Sequence, residues 1–269
     1  MTQTDIRPMG ERRFGRVNWL GLRTLIMREI RRFSNVWTQT LMAPMVTAAL
    51  FMTVLSLAFA ARRGDVEGVP FLHFLAPGIL MMTVIQNAFA NTSSSILISK
   101  MQGNIVDTLM PPLSPLEMLT GYTVGGIARG MFVGIVVVAV MFPIIGLPIA
   151  HPIWALTFLL LGSATLALLG IIAAILAQKF DQMAAITNFI ITPLSFLSGT
   201  FYSIRVLPEP MQVASHLNPM FYLIDGFRYG VLGQSDASPW VGLGVATLVI
   251  AGLGLLAWTW FRTGYRLKS

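Results

Sequence analysis

Two rows of small amide and hydroxyl side chains lie inside apolar stretches of the sequence. The first row is Thr83, Asn87, Asn91 and Ser94, and the second is Asn188, Thr192, Ser195 and Gly199. Each row recurs every three or four residues, so each predicts one polar stripe along a helix. Because polar groups are costly in hydrocarbon, the stripes must face protein or a wet path. The presence of any single polar residue is explained by hydrogen bonding between helices. Two such stripes on separate helices suggest that they form the wall of a pathway.

Arg129 stands among the glycines of another apolar stretch, which are Gly125, Gly126, Gly130 and Gly134. An ionisable residue within a membrane span is a functional-site hypothesis by default. Glycines also let neighbouring helices approach closely, and the guanidinium would then bind their backbone carbonyls. The sequence leaves the structural and the functional interpretation of Arg129 open.

Several kinds of chemistry are excluded by the residues present. The sequence has no Gly-x-x-x-x-Gly-Lys-Ser/Thr loop for nucleotide phosphates and no cysteine. Its three histidines are scattered, so they cannot form a histidine-rich metal cluster. No serine has a histidine and a carboxylate in a plausible common location. We therefore expect no catalytic residue, no metal and no cofactor bound by this chain, which is not an enzyme by itself.

The elements that carry these residues are predicted to be membrane spans. Hydrophobic residues make up 55% of the chain, charged residues only 11%, and the mean hydropathy is +0.73, whereas soluble domains are about a quarter charged. Six apolar runs have about the length needed to cross a bilayer. They are Val36–Ala60, Phe71–Ile98, Met118–Leu147, Ile153–Ala177, Met183–Phe201 and Val241–Phe261. We predict an all-α integral membrane protein with six transmembrane helices.

The basic residues indicate the orientation of these spans. Eight arginines precede the first apolar run, which places both termini in the cytoplasm by the positive-inside rule. We therefore interpret the net charge of +7 as favouring contact with the membrane surface, and we expect no nucleic acid as partner. Residues 1–17 are predicted to be a flexible basic segment. Residues 18–34 are predicted to form an amphipathic helix on the inner membrane face, its arginines near anionic lipid; packing on a soluble partner is the alternative. Its apolar residues are Trp19, Leu22, Ile26, Ile30 and Phe33.

Two polar segments interrupt the apolar pattern. Residues 100–115 combine polar and apolar positions with Pro111, Pro112 and Pro115, which end any helix. A short amphipathic element held between two spans offers a contact surface to another protein. Residues 202–240, broken by Pro208, Pro210 and Pro219, are too polar to span and too apolar for a free loop. We expect short re-entrant helices there, packed over the spans as a lid.

Three stretches resemble the permease subunit of ABC-2 type transporters, the membrane half of bacterial ABC exporters. They are FLAPGILMMTVIQNAFANTSSSI (74–96), GYTVGGIARG (121–130) and SGTFYSIRVLPEPMQVASHLNPMFYLIDGFRYGVLG (198–233). The resemblance extends from about Asn18 to the C-terminus. It implies one transmembrane domain over residues 18–269 in the bacterial inner membrane. It also implies a homodimer of permeases above two separate ATP-binding subunits, which hold ATP and magnesium.

The resemblance also assigns roles to particular segments. Residues 18–34 correspond to the connecting helix, 99–117 to the coupling loop and 202–220 to the external helices. The implied ATPase-coupling residues are Asn104, Ile105, Val106, Asp107, Thr108, Leu109, Pro111 and Pro112. The first, second and fifth spans line the dimer interface in the family, and the two polar stripes lie on the second and fifth. The residues Thr83, Asn87, Asn91, Asn188, Thr192 and Ser195 are the predicted pathway lining.

The function implied is ATP-driven export of a hydrophobic or amphiphilic substrate, of the drug, lipid or glycan class. Carbohydrate exporters tend to line their channels with stacked aromatics, whereas the two stripes here are amides and hydroxyls. Export of polysaccharide or of a lipid-linked glycan remains an alternative. An ion-coupled secondary transporter would need a buried ionisable site and related halves; Arg129 and His73 are the only candidates within the spans. A membrane scaffold without transport activity is the remaining alternative.

Overall fold

The computed structural model describes residues 17–60, 68–110 and 112–267, which are mostly helical. In chain order, the α-helices of these residues are α1 (Trp19–Ser34), α2 (Trp37–Ala60), α3 (Phe71–Met101), α4 (Ile105–Leu109), α5 (Pro115–Ile145), α6 (Pro152–Leu176), α7 (Phe180–Ile186), α8 (Thr192–Phe196), α9 (Glu209–Leu217), α10 (Pro219–Leu232) and α11 (Pro239–Thr263). A π-helical turn, Thr187–Ile191, joins α7 to α8, and a 3-10 turn, Ile204–Val206, precedes α9. The predicted all-α class is confirmed. Residues 1–16, Pro111 and the side chain of Leu109 lie outside the described part, so the predictions for them are not addressed.

Five of the described helices, α2, α3, α5, α6 and α11, are long and apolar enough to cross a membrane. They correspond to five of the six predicted spans. The sixth prediction, at 183–201, falls on α7, the π-helical turn and α8, a helical run of 17 residues. At 1.5 Å per residue this run is about 26 Å long, somewhat less than the roughly 30 Å of a hydrocarbon core.

Pro193 explains why this run is not one regular helix. Proline has no N–H, so a carbonyl in the preceding turn loses its usual donor. Thr192 donates its N–H five residues back, to the carbonyl of Thr187, which widens the turn into a π-helix. The widened turn rotates α8 relative to α7. Asn188 is exposed while Ser195 is buried, and the predicted stripe therefore crosses an irregular turn and does not follow one regular helix.

Helix α3 is the central element and contacts α2, α5, α6 and α10. Its close approach to neighbouring helices requires glycine. A Cβ added at Gly134 of α5 would lie 2.9 Å from Val84 Cγ2 of α3, and one at Gly170 of α6 would lie 2.6 Å from the carbonyl oxygen of Phe89. Both distances are too short for a real contact. The predicted close packing around the glycine-rich stretch of α5 is confirmed.

The helix predicted at residues 18–34, as an interface helix, corresponds to α1, which packs mainly on α5. Its buried residues are Leu22, Leu25, Glu29 and Phe33. Of the predicted apolar residues, Leu22 and Phe33 are buried and Trp19 is 72% exposed; Leu25 and Glu29 are buried as well. The reason lies in α5, where a Cβ at Gly121 would lie 2.4 Å from Leu25 and one at Gly125 would lie 2.4 Å from Glu29. The two glycines leave room for this face of α1.

The predicted short helices between the last two spans are α9 and the start of α10. Helix α10 continues beyond the predicted limit to Leu232 and is largely buried against α3, α6 and α11. Asn218 caps α10 by accepting a hydrogen bond from the N–H of Met220 at 3.0 Å. Its amide donates to the carbonyl of Leu194 at 2.8 Å and to Ser198 Oγ at 2.9 Å. One residue therefore fastens α10 to the end of α8.

Candidate functional site

The short helix α4 lies between the ends of α3 and α5 and contains most of the predicted coupling residues. Ile105 and Thr108 are buried, whereas Asn104, Val106 and Asp107 are exposed. One face of α4 is therefore held by the protein, and the other is open to a partner.

The chain that follows α4 is fixed at the start of α5. Ser114 and Glu117 form a capping box: the N–H of Ser114 donates to Glu117 Oε2 at 2.6 Å, and the N–H of Glu117 donates to Ser114 Oγ at 3.3 Å. Glu117 also accepts a hydrogen bond from the N–H of Asn18 at 2.6 Å. The side-chain amide of Asn18 donates to the carbonyl of Pro112 at 3.3 Å. The start of α1 is thus tied to the coupling segment.

Arg28 of α1 connects α4 with α5. Its Nη1 donates to Thr108 Oγ1 at 2.9 Å and its Nη2 to the hydroxyl of Tyr122 at 3.1 Å. The same Nη2 is 3.1 Å from Glu29 Oε1. Partial burial lowers the pKa of Arg28, but Tyr122 and Glu29 outweigh that effect and raise the pKa above its ordinary value. The guanidinium therefore stays charged and keeps α1 bound to α4.

Glu29 is completely buried and joins α1 to α3. Its Oε1 accepts a hydrogen bond from Ser95 Oγ at 2.8 Å, and its Oε2 is 3.3 Å from Arg32 Nη2. A buried carboxylate needs such partners, because an isolated charge in a low-dielectric interior is very costly. Sequence reasoning missed Glu29, although its position four residues after Leu25 and four before Phe33 places it on the buried face of α1.

Arg32 extends the contact from α1 along α3. Its Nη1 donates to Ser94 Oγ at 3.0 Å, and its Nη2 donates to Asn91 Oδ1 at 3.0 Å. Asn91 is completely buried. The structure thus places this predicted pathway residue against the interface helix, and its lining role stays a prediction.

Two of the other predicted lining residues meet Arg129 in a polar cleft between α2, α3 and α5. Arg129 Nη2 donates to Asn87 Oδ1 at 3.1 Å, and Asn87 Nδ2 donates to the carbonyl of Thr83 at 3.0 Å. The cleft has a volume of about 410 Å³. Its polar lining is completed by Gln39, Thr40, Thr47 and Gln86. The arrangement can hydrogen-bond a polar or charged group at the depth of the membrane spans.

The second predicted stripe does not join this cleft. Thr192 lines a separate groove of about 370 Å³ between α3 and the run from α7 to α8, together with Ser93 and Ser94. Ser195 is buried and donates to a carbonyl four residues earlier at 2.8 Å. Asn188 is exposed. For these three stripe residues, pathway lining remains a prediction.

The predicted site residues contribute to two candidate surfaces in the described part of the chain. These are the exposed face of α4, linked through α1 to the spans, and the polar cleft around Arg129. One can receive a mechanical contact, and the other can bind a ligand. Among the residues that the structure describes, no group of three or more histidines and acids could hold a metal ion.

Comparison with known proteins shows the family to which this chain belongs. The model of the ABC-2 type transporter family matches residues 21–232, which run from α1 to the end of α10. The inner membrane transport permease YadH of Escherichia coli (strain K12) is 36% identical over 251 residues, or 93% of this chain and 98% of that protein. Nodulation protein J of Rhizobium leguminosarum bv. viciae is 25% identical over 243 residues, or 88% of this chain and 90% of that protein. This chain therefore belongs to the ABC-2 type transporter family, as a transmembrane permease.

Proposed function

We propose that this chain is the permease subunit of an exporter in the bacterial inner membrane, driven by ATP hydrolysis on a separate subunit. Two copies of the permease pair above two ATP-binding subunits, which hold ATP and magnesium. Membership of the family supports both the permease role and an ATP-binding partner.

In this proposal the chain crosses the membrane six times and has both termini in the cytoplasm. An even number of crossings is required if both ends lie on one side. The run from α7 to α8 supplies the crossing between α6 and α11, and tilting or local thinning of the bilayer accommodates its modest length. The arginines that precede α2, together with Arg262 in the last turn of α11 and Arg266 after that helix, support the cytoplasmic placement of the ends.

The divided surface of α4 is the observation that carries the proposal. A partner that presses on exposed Asp107 moves a helix whose opposite face is bonded to α1 through Thr108 and Arg28. Helix α1 is in turn bonded to α3 through Glu29 and Ser95. Movement of an ATP-binding subunit thus has a continuous route of hydrogen bonds into the central helix of the permease.

An amphiphilic substrate is supported by the lining of the cleft around Arg129. Amides, hydroxyls and one guanidinium line it beside Val36, Ala43 and Pro44, and further apolar side chains of α2 are exposed next to it. Such a mixed surface suits a molecule with a polar end and an apolar end.

The test is a charge reversal on the exposed face of α4. Asp107→Arg leaves the buried face intact, so we expect a folded, membrane-inserted permease that no longer stimulates hydrolysis by the ATP-binding subunit with which it copurifies. Glu209→Arg, on exposed α9 at the side assigned to the exterior, is the matched control, and it should stimulate hydrolysis by the ATP-binding subunit as the wild type does. Wild-type stimulation in the Asp107→Arg complex would remove α4 from the mechanism. Substrate movement by the purified chain without any ATPase would contradict the proposal as a whole.

A further inference from the structure

Arg129 is a charged residue within a membrane span, and most of its N–H donors have no hydrogen-bond acceptor among the described residues. A guanidinium has five N–H donors, and Asn87 accepts one of them at 3.1 Å. The Nε of Arg129 is buried without a hydrogen-bond partner, and no carboxylate of the described residues forms an ion pair with it. Arg32 is near enough to add an unfavourable like charge. A buried charge in this setting is stabilised by an anion.

The walls of the cleft offer further donors and no negative charge. Gln39 and Gln86 line it, and within the described residues neither side chain makes a hydrogen bond. None of the lining residues in the described part of the chain is an aspartate or a glutamate. Because positive charge and amide donors are present without carboxylates, the cleft favours an anion over a cation.

Apolar surface begins where this polar lining ends. Thr47 of α2 lines the cleft, and Leu50, Phe51 and Val54 follow on the same helical face. Their exposed fractions are 59%, 38% and 58%. Phe51 also packs on Phe201 of the external end, with 5.9 Å between ring centroids. This polar-then-apolar order matches the headgroup and chain of an amphiphile.

The cleft lies close to the interface helix but deeper in the bundle. Asn91 binds Arg32 of α1, and Asn87 comes four residues earlier on α3, roughly 6 Å away along the helix axis. In the proposed topology α1 lies at the cytoplasmic face. A headgroup bound at Arg129 is then about one helical turn inside the inner-leaflet side.

We propose that the cleft between α2, α3 and α5 binds an amphiphile with an anionic headgroup, phosphate or carboxylate, at the guanidinium of Arg129. The apolar chain lies along Leu50, Phe51 and Val54 of α2. This inference rests on the proposed export function and names the substrate class: anionic, lipid-like molecules taken from the inner leaflet.

The test is equilibrium binding of dodecyl phosphate to the purified full-length chain in phosphatidylcholine nanodiscs, with binding to empty nanodiscs subtracted. Inorganic phosphate and dodecyl maltoside are the comparison ligands, because each has only one half of the recognised chemistry. We expect dodecyl phosphate to bind at least about tenfold more tightly than either, as one charge-assisted hydrogen bond accounts for roughly that factor. Equal affinity for inorganic phosphate would show a free-anion site, and equal affinity for dodecyl maltoside would show a site indifferent to charge. Either result overturns the proposal.

Substitutions in the cleft test whether dodecyl phosphate binds there. Arg129→Gln should weaken dodecyl phosphate binding about tenfold or more, while Arg31→Gln, an exposed arginine of α1, should leave it unchanged. Thr47→Trp replaces an exposed side chain at the cleft and should block the ligand even if Arg129→Gln does not yield folded protein. Wild-type affinity in either folded variant overturns the proposal.

Coupling is measured separately through Asp107→Arg. That variant should bind dodecyl phosphate normally, because α4 and the cleft are different surfaces. If Arg129→Gln binds normally while Asp107→Arg is uncoupled, the inference is wrong and the proposed function stands. If the cleft binds dodecyl phosphate but no ATPase partner drives transport, the proposed function is wrong and the cleft remains a binding site.

Discussion

The buried carboxylate of Glu29 is expected to hold α1 on the membrane helices. Glutamine at this position keeps the size of the side chain and the hydrogen bond from Ser95, and removes only the charge. That charge lies 3.1 Å from Arg28 Nη2 and 3.3 Å from Arg32 Nη2. Glu29→Gln therefore isolates the contribution of the two ion pairs.

The size of the effect follows from the exposure of the partners. Removing one partner of a fully buried ion pair costs about 3 to 5 kcal/mol, while an exposed pair contributes about 0 to 1 kcal/mol. The Glu29 side chain is 0% exposed, whereas those of Arg28 and Arg32 are 44% and 32% exposed. The pairs lie between the two limits, so we expect Glu29→Gln to lower the free energy of unfolding by about 2 kcal/mol. For a soluble domain of this size that is a fall in Tm of roughly 4 to 8 °C.

The assay is thermal unfolding of the purified permease in detergent, followed by tryptophan fluorescence. Glu209→Gln, at an exposed position of α9, is the control and should change the free energy of unfolding by less than about 0.5 kcal/mol. Limited proteolysis around Asn35, where α1 ends, reports release of α1 directly. If Glu29→Gln unfolds at the same temperature as Glu209→Gln and is cut no faster at Asn35, the ion pairs do not hold α1.

Two further substitutions test the packing of α5 on α6 and of α10 on α8. Gly130→Ala should lower the apparent Tm because its Cβ would lie 2.5 Å from Ser163 Oγ of α6. A Cβ at Gly252 would meet no side chain and no other helix within 4 Å, so Gly252→Ala should preserve or slightly raise the Tm; equal Tm values would contradict the packing. Asn218→Ala removes the cap of α10 and two hydrogen bonds to the end of α8. We expect a loss of about 1 to 3 kcal/mol in the free energy of unfolding and faster proteolysis between α8 and α10. Unchanged proteolysis would refute the role of Asn218 in holding α10 to α8.

The long helices could be predicted from the sequence because a bilayer requires long apolar runs, and hydropathy measures that directly. The run at 183–201 is the exception. Its composition is apolar enough, but Pro193 alters the hydrogen bonding of the turn before it. Hydropathy does not detect a local change in helix geometry, and residue spacing is interpreted on the assumption of a regular helix. The irregular turn between Asn188 and Ser195 could therefore not be predicted from either signal.

The arginines of α1 show a second limit of the pattern. Their spacing predicts four cations near anionic lipid. In the structure Arg23 and Arg31 are exposed, whereas Arg28 and Arg32 bind Glu29 and residues of α3, α4 and α5. The distinction depends on which face of α1 meets the glycines of α5, and those glycines lie about ninety residues away in the sequence. A helical pattern predicts the direction in which a side chain points, but it does not predict which residue of another helix that side chain contacts.

Asn87 and Asn91 illustrate the same point within one stripe. They have identical side chains one helical turn apart on α3, and their spacing predicts one role. Near Asn91, Gly125 of α5 leaves room for Glu29, so α1 packs over this position. Arg32 of α1 then donates a hydrogen bond to Oδ1 of Asn91. One turn deeper, α1 no longer covers α3, and the amide of Asn87 faces Arg129 across a cleft. In this chain the side-chain amide of Asn91 is therefore held by Arg32, whereas that of Asn87 lies beside the cleft where we propose that the ligand binds.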